Sequence, residues 1–193
     1  MLEGFVPFPA DFAQRYRERG YWADRTLAQE YADVFRQFGP RTALVDGART
    51  YSYTELDRQS TNLALNLLAI GLQAQDRVVP TLPNVAEFVI LYLALQKIGA
   101  IPIAALVTHR YAEISQFVQL SQATCCVYPE SAGEFRFAAI IDRIQAEQSC
   151  LRLRLGLGTP GPGEHSLVEL IERLATSPVS RLPIARTTAA ATL

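Results

Sequence analysis

At 193 residues the chain is long enough for one domain with a real core, or for part of a larger one. Its 49% hydrophobic content is that of a globular protein. A formal net charge of −1 gives no electrostatic case for a nucleic-acid or anionic-membrane partner.

Residues 5–24 are aromatic and proline-rich, with Phe5, Pro7, Phe8, Pro9, Phe12, Tyr16, Tyr21 and Trp22. They read as a lead segment, 1–25, that packs across another surface. Thr26 then predicts an N-cap with Gln29 three residues on, and Leu27, Tyr31, Val34, Phe35 and Phe38 form the apolar face of a helix ended by Gly39-Pro40. Thr42–Asp46 and Arg49–Tyr51 predict a hairpin turning at Asp46-Gly47. Ser52 and Glu55 form a second capping box. The helix behind it carries Tyr53, Leu56, Ser60, Leu63, Ala64 and Leu67 on one stripe and stops at Gly71.

The stretch from Asp76 to Glu113 is the most informative. Val78–Leu82 reads as a buried strand. Asn84 and Glu87 form a third box of the same kind, opening a helix over Val85–Ile98 that is apolar nearly all round and so expects cover on more than one side. Ala100–Leu106 is the next strand, followed by the polar pair His109-Arg110. Beyond it lie a helix over Tyr111–Leu120, a strand at Thr124–Tyr128, a helix over Phe137–Gln148 and a strand at Leu151–Leu155. Strands alternating with helices of this length predict an α/β fold with a mainly parallel sheet and flanking helices, spanning residues 26–155. The alternation of Arg152 and Arg154 suits the polar face of an edge strand. After Leu155 the character changes: a Gly/Pro loop over 156–163, one helix over Ser166–Ala175, and a tail, 177–193, without periodicity and expected to be poorly ordered.

Few residues argue for chemistry. Gly156, Gly158 and Gly161 match G-x-G-x-x-G, but Pro160, Pro162 and Gly163 delay any helix, so a plain loop is the better reading. His109 follows a strand, where side chains often face a ligand crevice; the plainer reading is a histidine that bonds locally. Asn84 is first a helix cap, with a ligand role as the alternative, and His165 is expected to be exposed. Three cysteines, two of them adjacent (Cys125, Cys126), make neither a disulfide framework nor a metal-ligand spacing; they read as buried hydrophobes in a reducing cytosol. No Ser-His-Asp set, metal cluster or catalytic carboxylate pair emerges. The start lacks the pattern of a signal peptide, and the longest apolar run, Phe88–Leu95, falls short of the roughly 18 residues a membrane span needs, so a cytoplasmic location is expected.

Several segments resemble a known family. They are GFVPFPADFAQRYRERGYW (4–22), TYSYTELDRQSTNLALNLLAIGL (50–72), LPNVAEFVILYLALQKIGAIPIAAL (82–106), THRYAEISQF (108–117) and, more faintly, FRFAAIIDRI (135–144). Together they resemble the N-terminal region of aryl-acid–AMP ligases, the 2,3-dihydroxybenzoate- and salicylate-activating enzymes of siderophore biosynthesis. These belong to the AMP-forming acyl-CoA synthetase, luciferase and adenylation-domain superfamily. The 50–106 pattern is common to the superfamily, whereas the aromatic opening and the His-Arg pair point to the aryl-acid branch.

The resemblance implies a partial N-terminal subdomain of the adenylate-forming fold. It implies ATP and Mg2+ as cofactors, an aromatic acid as substrate and a carrier-protein phosphopantetheine thiol as acceptor. The family's Ser/Thr/Gly-rich phosphate loop ending in Pro-Lys, its aromatic-acid pocket motifs, its ribose-binding aspartate and its C-terminal lysine domain have no counterpart here. Pro80 also interrupts a strand that is normally a plain apolar run. The expectation is therefore a truncated piece, with a shifted reading frame near its end, that has little or no activity alone. It would bind neither ATP nor metal, and Asn84, His109 and Arg110 would serve as scaffold. Another acyl-acid ligase of the superfamily, or a non-catalytic interaction fragment, are the alternatives.

Overall fold

In a computed structural model the described residues are 6–176 and Leu182. The expectation for the tail therefore falls, Leu182 apart, outside the described residues. The elements run α1 (Ala10–Glu18), α2 (Leu27–Phe38), β1 (Thr42–Asp46), β2 (Arg49–Ser52), α3 (Tyr53–Ala69), β3 (Arg77–Pro80), α4 (Ala86–Ile98), β4 (Ile101–Pro102) and α5 (Tyr111–Ser121). Then follow β5 (Cys125–Pro129), β6 (Ser131–Ala132), β7 (Phe135–Arg136), α6 (Ala138–Glu147), β8 (Leu153–Leu157), β9 (His165–Ser166) and α7 (Leu167–Glu172).

Five strands form one parallel sheet in the order β4-β3-β5-β8-β9, as α/β alternation requires. Side chains alternate across it. Val78, Cys125, Val127 and Leu155 enter one core with residues of α2, α3, α4 and α7; Val79, Cys126 and Tyr128 enter a second core with residues of α5 and α6. The sheet is thus covered on both faces. The β1–β2 hairpin forms its own two-stranded unit, turning through Gly47 at φ +58°.

Both early capping boxes form: the Gln29 amide donates to the Thr26 hydroxyl, the Glu55 amide to that of Ser52, and each partner side chain accepts in return. The helix over Val85–Ile98 does find cover, but within this chain. Ala86, Ile90, Leu91, Ala94, Leu95 and Ile98 are all buried in the first core, between α3 and the sheet.

Four details depart from expectation. The third capping box is absent: Val85 occupies the N-cap, and Asn84 is exposed. β4 is short, although the Ile103 and Ala105 amides still donate to Val78 and Pro80. Because the Pro80 carbonyl accepts the Ala105 amide, its missing N–H falls on the side of β4, so the pairing of β3 with this short outer strand goes without one donor there. β8 is not an edge strand: it lies between β5 and β9, and Arg154 is buried on its α6 face, paired with Asp142. His165 is half-buried in β9, a two-residue strand too short to announce itself by alternation. The β6–β7 hairpin, with two residues per strand, likewise has no alternation to announce it.

Candidate functional site

The order of strands reverses at β3, whose neighbours β4 and β5 lie on opposite sides. In open α/β sheets the crevice outside the carboxyl ends at such a reversal is the usual ligand site. Here that rim is built by the turn after β3, the loop between β4 and α5, the β6–β7 hairpin after β5 and the Gly/Pro loop after β8.

Asn84 lies in the first of these segments. Its expected capping role is taken from forty residues away: Asp46 Oδ2 accepts the Ala86 amide at 2.9 Å. Glu87, the other half of the expected box, instead binds Arg49, whose Nη2 is 3.2 Å from its Oε2 and which also pairs with Asp46. The Ala86 amide first, and Arg49 second, hold the Asp46 carboxyl below the usual carboxylate range.

His109 and Arg110 share the β4–α5 loop. His109 Nδ1 accepts the Leu106 amide at 3.2 Å, and its ring meets Phe117 edge-on at 5.3 Å. The Arg110 guanidinium donates to the carbonyls of Val107 and His109, both at 2.8 Å, and lies 4.0 Å from the centroid of Phe135 on the hairpin. The Arg110 amide donates to Glu113 at 2.9 Å and is the chief cause of that carboxyl's lowered pKa. The structure joins His109 and Arg110 in one turn, while among the described residues no hydrogen bond links Asn84 to either.

The Gly/Pro loop is clasped by side chains that periodicity could not single out. Buried Tyr128 donates its hydroxyl to Glu164 Oε1 at 2.6 Å, and the Gly161 amide donates to Glu164 Oε2 at 2.9 Å. Burial, reinforced by Glu164, pushes the Tyr128 phenol far above its ordinary value. Arg154 Nη2 donates to the Pro162 carbonyl at 2.8 Å. Beside this clasp a cleft of about 160 Å³ is lined by Tyr128, Glu130, Arg136, Gly158, Thr159 and Glu164. Gly158 sits at φ +137°, a conformation side chains rarely adopt, and a Cβ there would come within 3.1 Å of the Glu130 side chain. The G-x-G-x-x-G match opens no helix: Gly156 ends up inside β8 and the chain runs on to β9. It therefore lacks the helix N-terminus that holds a pyrophosphate.

Among the described residues no three His, Cys, Asp or Glu side chains converge on a metal site. Cys125 and Cys126 are free and buried; burial raises both thiols, Cys126 to about 12, which leaves them inert. Among the described residues no helix is long and apolar enough to cross a membrane.

Comparison with known proteins gives the rim its context. The AMP-binding enzyme family matches residues 31–175. The 2,3-dihydroxybenzoate-AMP ligase of Bacillus subtilis is 35% identical over 152 residues, which are 79% of this chain and 28% of that protein. The salicyl-AMP ligase / salicyl-S-ArCP synthetase of Mycobacterium tuberculosis is 39% identical over 166 residues, 83% of this chain and 29% of that protein. The apo structure of Mycobacterium smegmatis MbtA superposes with a TM-score of 0.83 at 32% identity, covering 91% of this chain and 32% of that one. This chain thus spans under a third of the length of these relatives. With three quarters of its length inside the family match, and with the fold of the N-terminal part of adenylate-forming enzymes, the chain belongs to the AMP-binding enzyme family.

Proposed function

We propose that this chain is the N-terminal part of an AMP-forming aryl-acid ligase. The complete enzyme would activate 2,3-dihydroxybenzoate or salicylate as the acyl adenylate and pass it to the thiol of an aryl carrier protein in siderophore biosynthesis. The observation that carries this reading is the 35% and 39% identity to two ligases named for those acids.

Within that enzyme we assign these residues to scaffold. His109 and Arg110 support the assignment, because His109 Nδ1 and Arg110 Nη1 are engaged in the turn, and the Arg110 guanidinium rests on Phe135 of the β6–β7 hairpin. Asn84 belongs to the turn that carries the chain from β3 into α4. The residues present do not fit ATP or Mg2+: the glycine-rich segment opens no helix, and no carboxylate cluster forms among the described residues. No step of adenylation is routed through them. What they contribute is a rim of fixed geometry on which reacting groups supplied by the rest of the family fold are positioned.

The test is ATP–pyrophosphate exchange with salicylate and 2,3-dihydroxybenzoate. A chimera carrying residues 1–176 in place of the matched segment of the M. tuberculosis relative should exchange with an aryl acid, whereas this chain alone should not. A folded chimera without aryl-acid-dependent exchange would overturn the reading. Exchange by this chain alone would overturn the scaffold assignment.

A further inference from the structure

Among the described residues β4 is the outermost strand of the sheet on its side, and edge strands offer unpaired backbone groups to any other extended chain. The amides of Ile101, Ile103 and Ala105 all donate inward, to Asp76, Val78 and Pro80. By the alternation of a strand, residues 102, 104 and 106 point their backbone groups outward. Pro102 has no amide to offer. Leu106 has both groups taken by one residue: its amide donates to His109 Nδ1 at 3.2 Å, and its carbonyl accepts the His109 amide at 3.0 Å. The outward ladder is left with the Ala104 amide and carbonyl, plus the carbonyl of Pro102. Ala104 and Leu106 are both exposed, so solvent or a second strand has access to this edge.

We propose that His109 is an edge stop. By occupying both outward groups of Leu106 it lets a strand that adds along β4 pair no further than Ala104, and so keeps the hydrophobic outer edge from templating a long ladder. The exposed side chain of Leu106, 64% accessible, is what such a ladder would otherwise bury. The Phe117 ring beside the imidazole holds it in the accepting orientation. An accepting Nδ1 requires that the neutral imidazole carry its proton on Nε2.

Nitrogen-15 NMR of the intact chain reads that tautomer directly. An unprotonated Nδ1 at neutral pH is expected, and a protonated Nδ1 overturns the proposal whatever any variant does. In His109→Phe the ring against Phe117 is kept and the acceptor is lost. Hydrogen exchange at the Leu106 amide should then rise about tenfold or more while the Ile103 and Ala105 amides keep their protection. Unchanged exchange at Leu106 overturns the proposal. Sedimentation velocity should show stronger concentration-dependent association for His109→Phe than for the wild type. Equal association in the two would show that the residue stops nothing.

Discussion

Asp46 closes the β1–β2 hairpin and at the same time caps α4, since its carboxylate receives the Ala86 amide while Arg49 and Glu87 complete the group. A carboxylate at a helix N-terminus is favoured both by that hydrogen bond and by the helix dipole. Its pKa is lowered in the folded chain, first by the Ala86 amide. The sign follows: the stability this charge contributes is present above the carboxyl range of the unfolded chain and is lost as pH falls through the folded value. Asp46→Asn keeps the shape and removes the charge. Urea midpoints should fall at neutral pH, the acid limb of the stability curve should flatten, and wild type and variant should converge at low pH. Parallel curves across that range would deny Asp46 this role. The same residue marks where sequence reading stops. The boxes at Thr26/Gln29 and Ser52/Glu55 were legible because each closes over three residues. Asn84/Glu87 carries the same pattern, but Glu87 goes to Arg49 and a carboxylate forty residues earlier takes the amide. A local pattern states what a residue offers, and tertiary packing decides which offer is taken.

Helix α3 shows that limit between elements. Its apolar stripe was evident, yet its neighbouring face carries Asn62 and Asn66, which are buried. Asn66 Nδ2 donates to the carbonyls of Leu170 at 2.8 Å and Arg173 at 2.7 Å. Asn62 Nδ2 donates to Ile171 and Arg173, while its Oδ1 accepts the Ala175 amide at 2.9 Å. One turn apart on α3, the two amides satisfy the carbonyls that the end of α7 leaves open. In the sequence they look like solvent-facing polar residues, because their partners lie more than a hundred positions away. Asn66→Leu should cost about 1–3 kcal/mol in urea unfolding, since the Leu170 carbonyl would lose its buried donor while that of Arg173 would keep only Asn62. The loss should show first as faster hydrogen exchange in α7 and β9, with β3 and β5 unaffected. Uniform loss across the sheet would indicate that α7 is not held separately by this clamp. The five-strand sheet itself was readable in β3, β5 and β8 and in the apolar run that carries the short β4, where hydrophobic runs alternate with helices. β9 and the β6–β7 hairpin have two residues per strand, too few for any period to appear.

Across the whole molecule, two bodies of unequal support share one chain. The sheet and its helices enclose two cores, with Leu63, Val79, Leu95 and Ile144 fully inaccessible. The lead segment instead stacks on itself. Phe8 and Tyr16 pack against Trp22 at 5.2 and 5.5 Å, and Arg17 lies over the indole. Yet α1 buries Ala13 alone, and Phe8, Phe12 and Tyr21 are exposed. Few buried contacts mean a low local unfolding free energy, so the lead should open before the sheet does. Trp22 is the single tryptophan of the chain, which makes its emission a private report on that segment. In a urea titration the Trp22 transition should come at lower denaturant than the far-UV circular dichroism transition, a departure from two-state behaviour. Phe8→Ser should move the first transition further down and leave the second within about 0.5 kcal/mol of the wild type. Coincident transitions in the wild type would mean that the aromatic lead is coupled to the core as tightly as the sheet's own helices are.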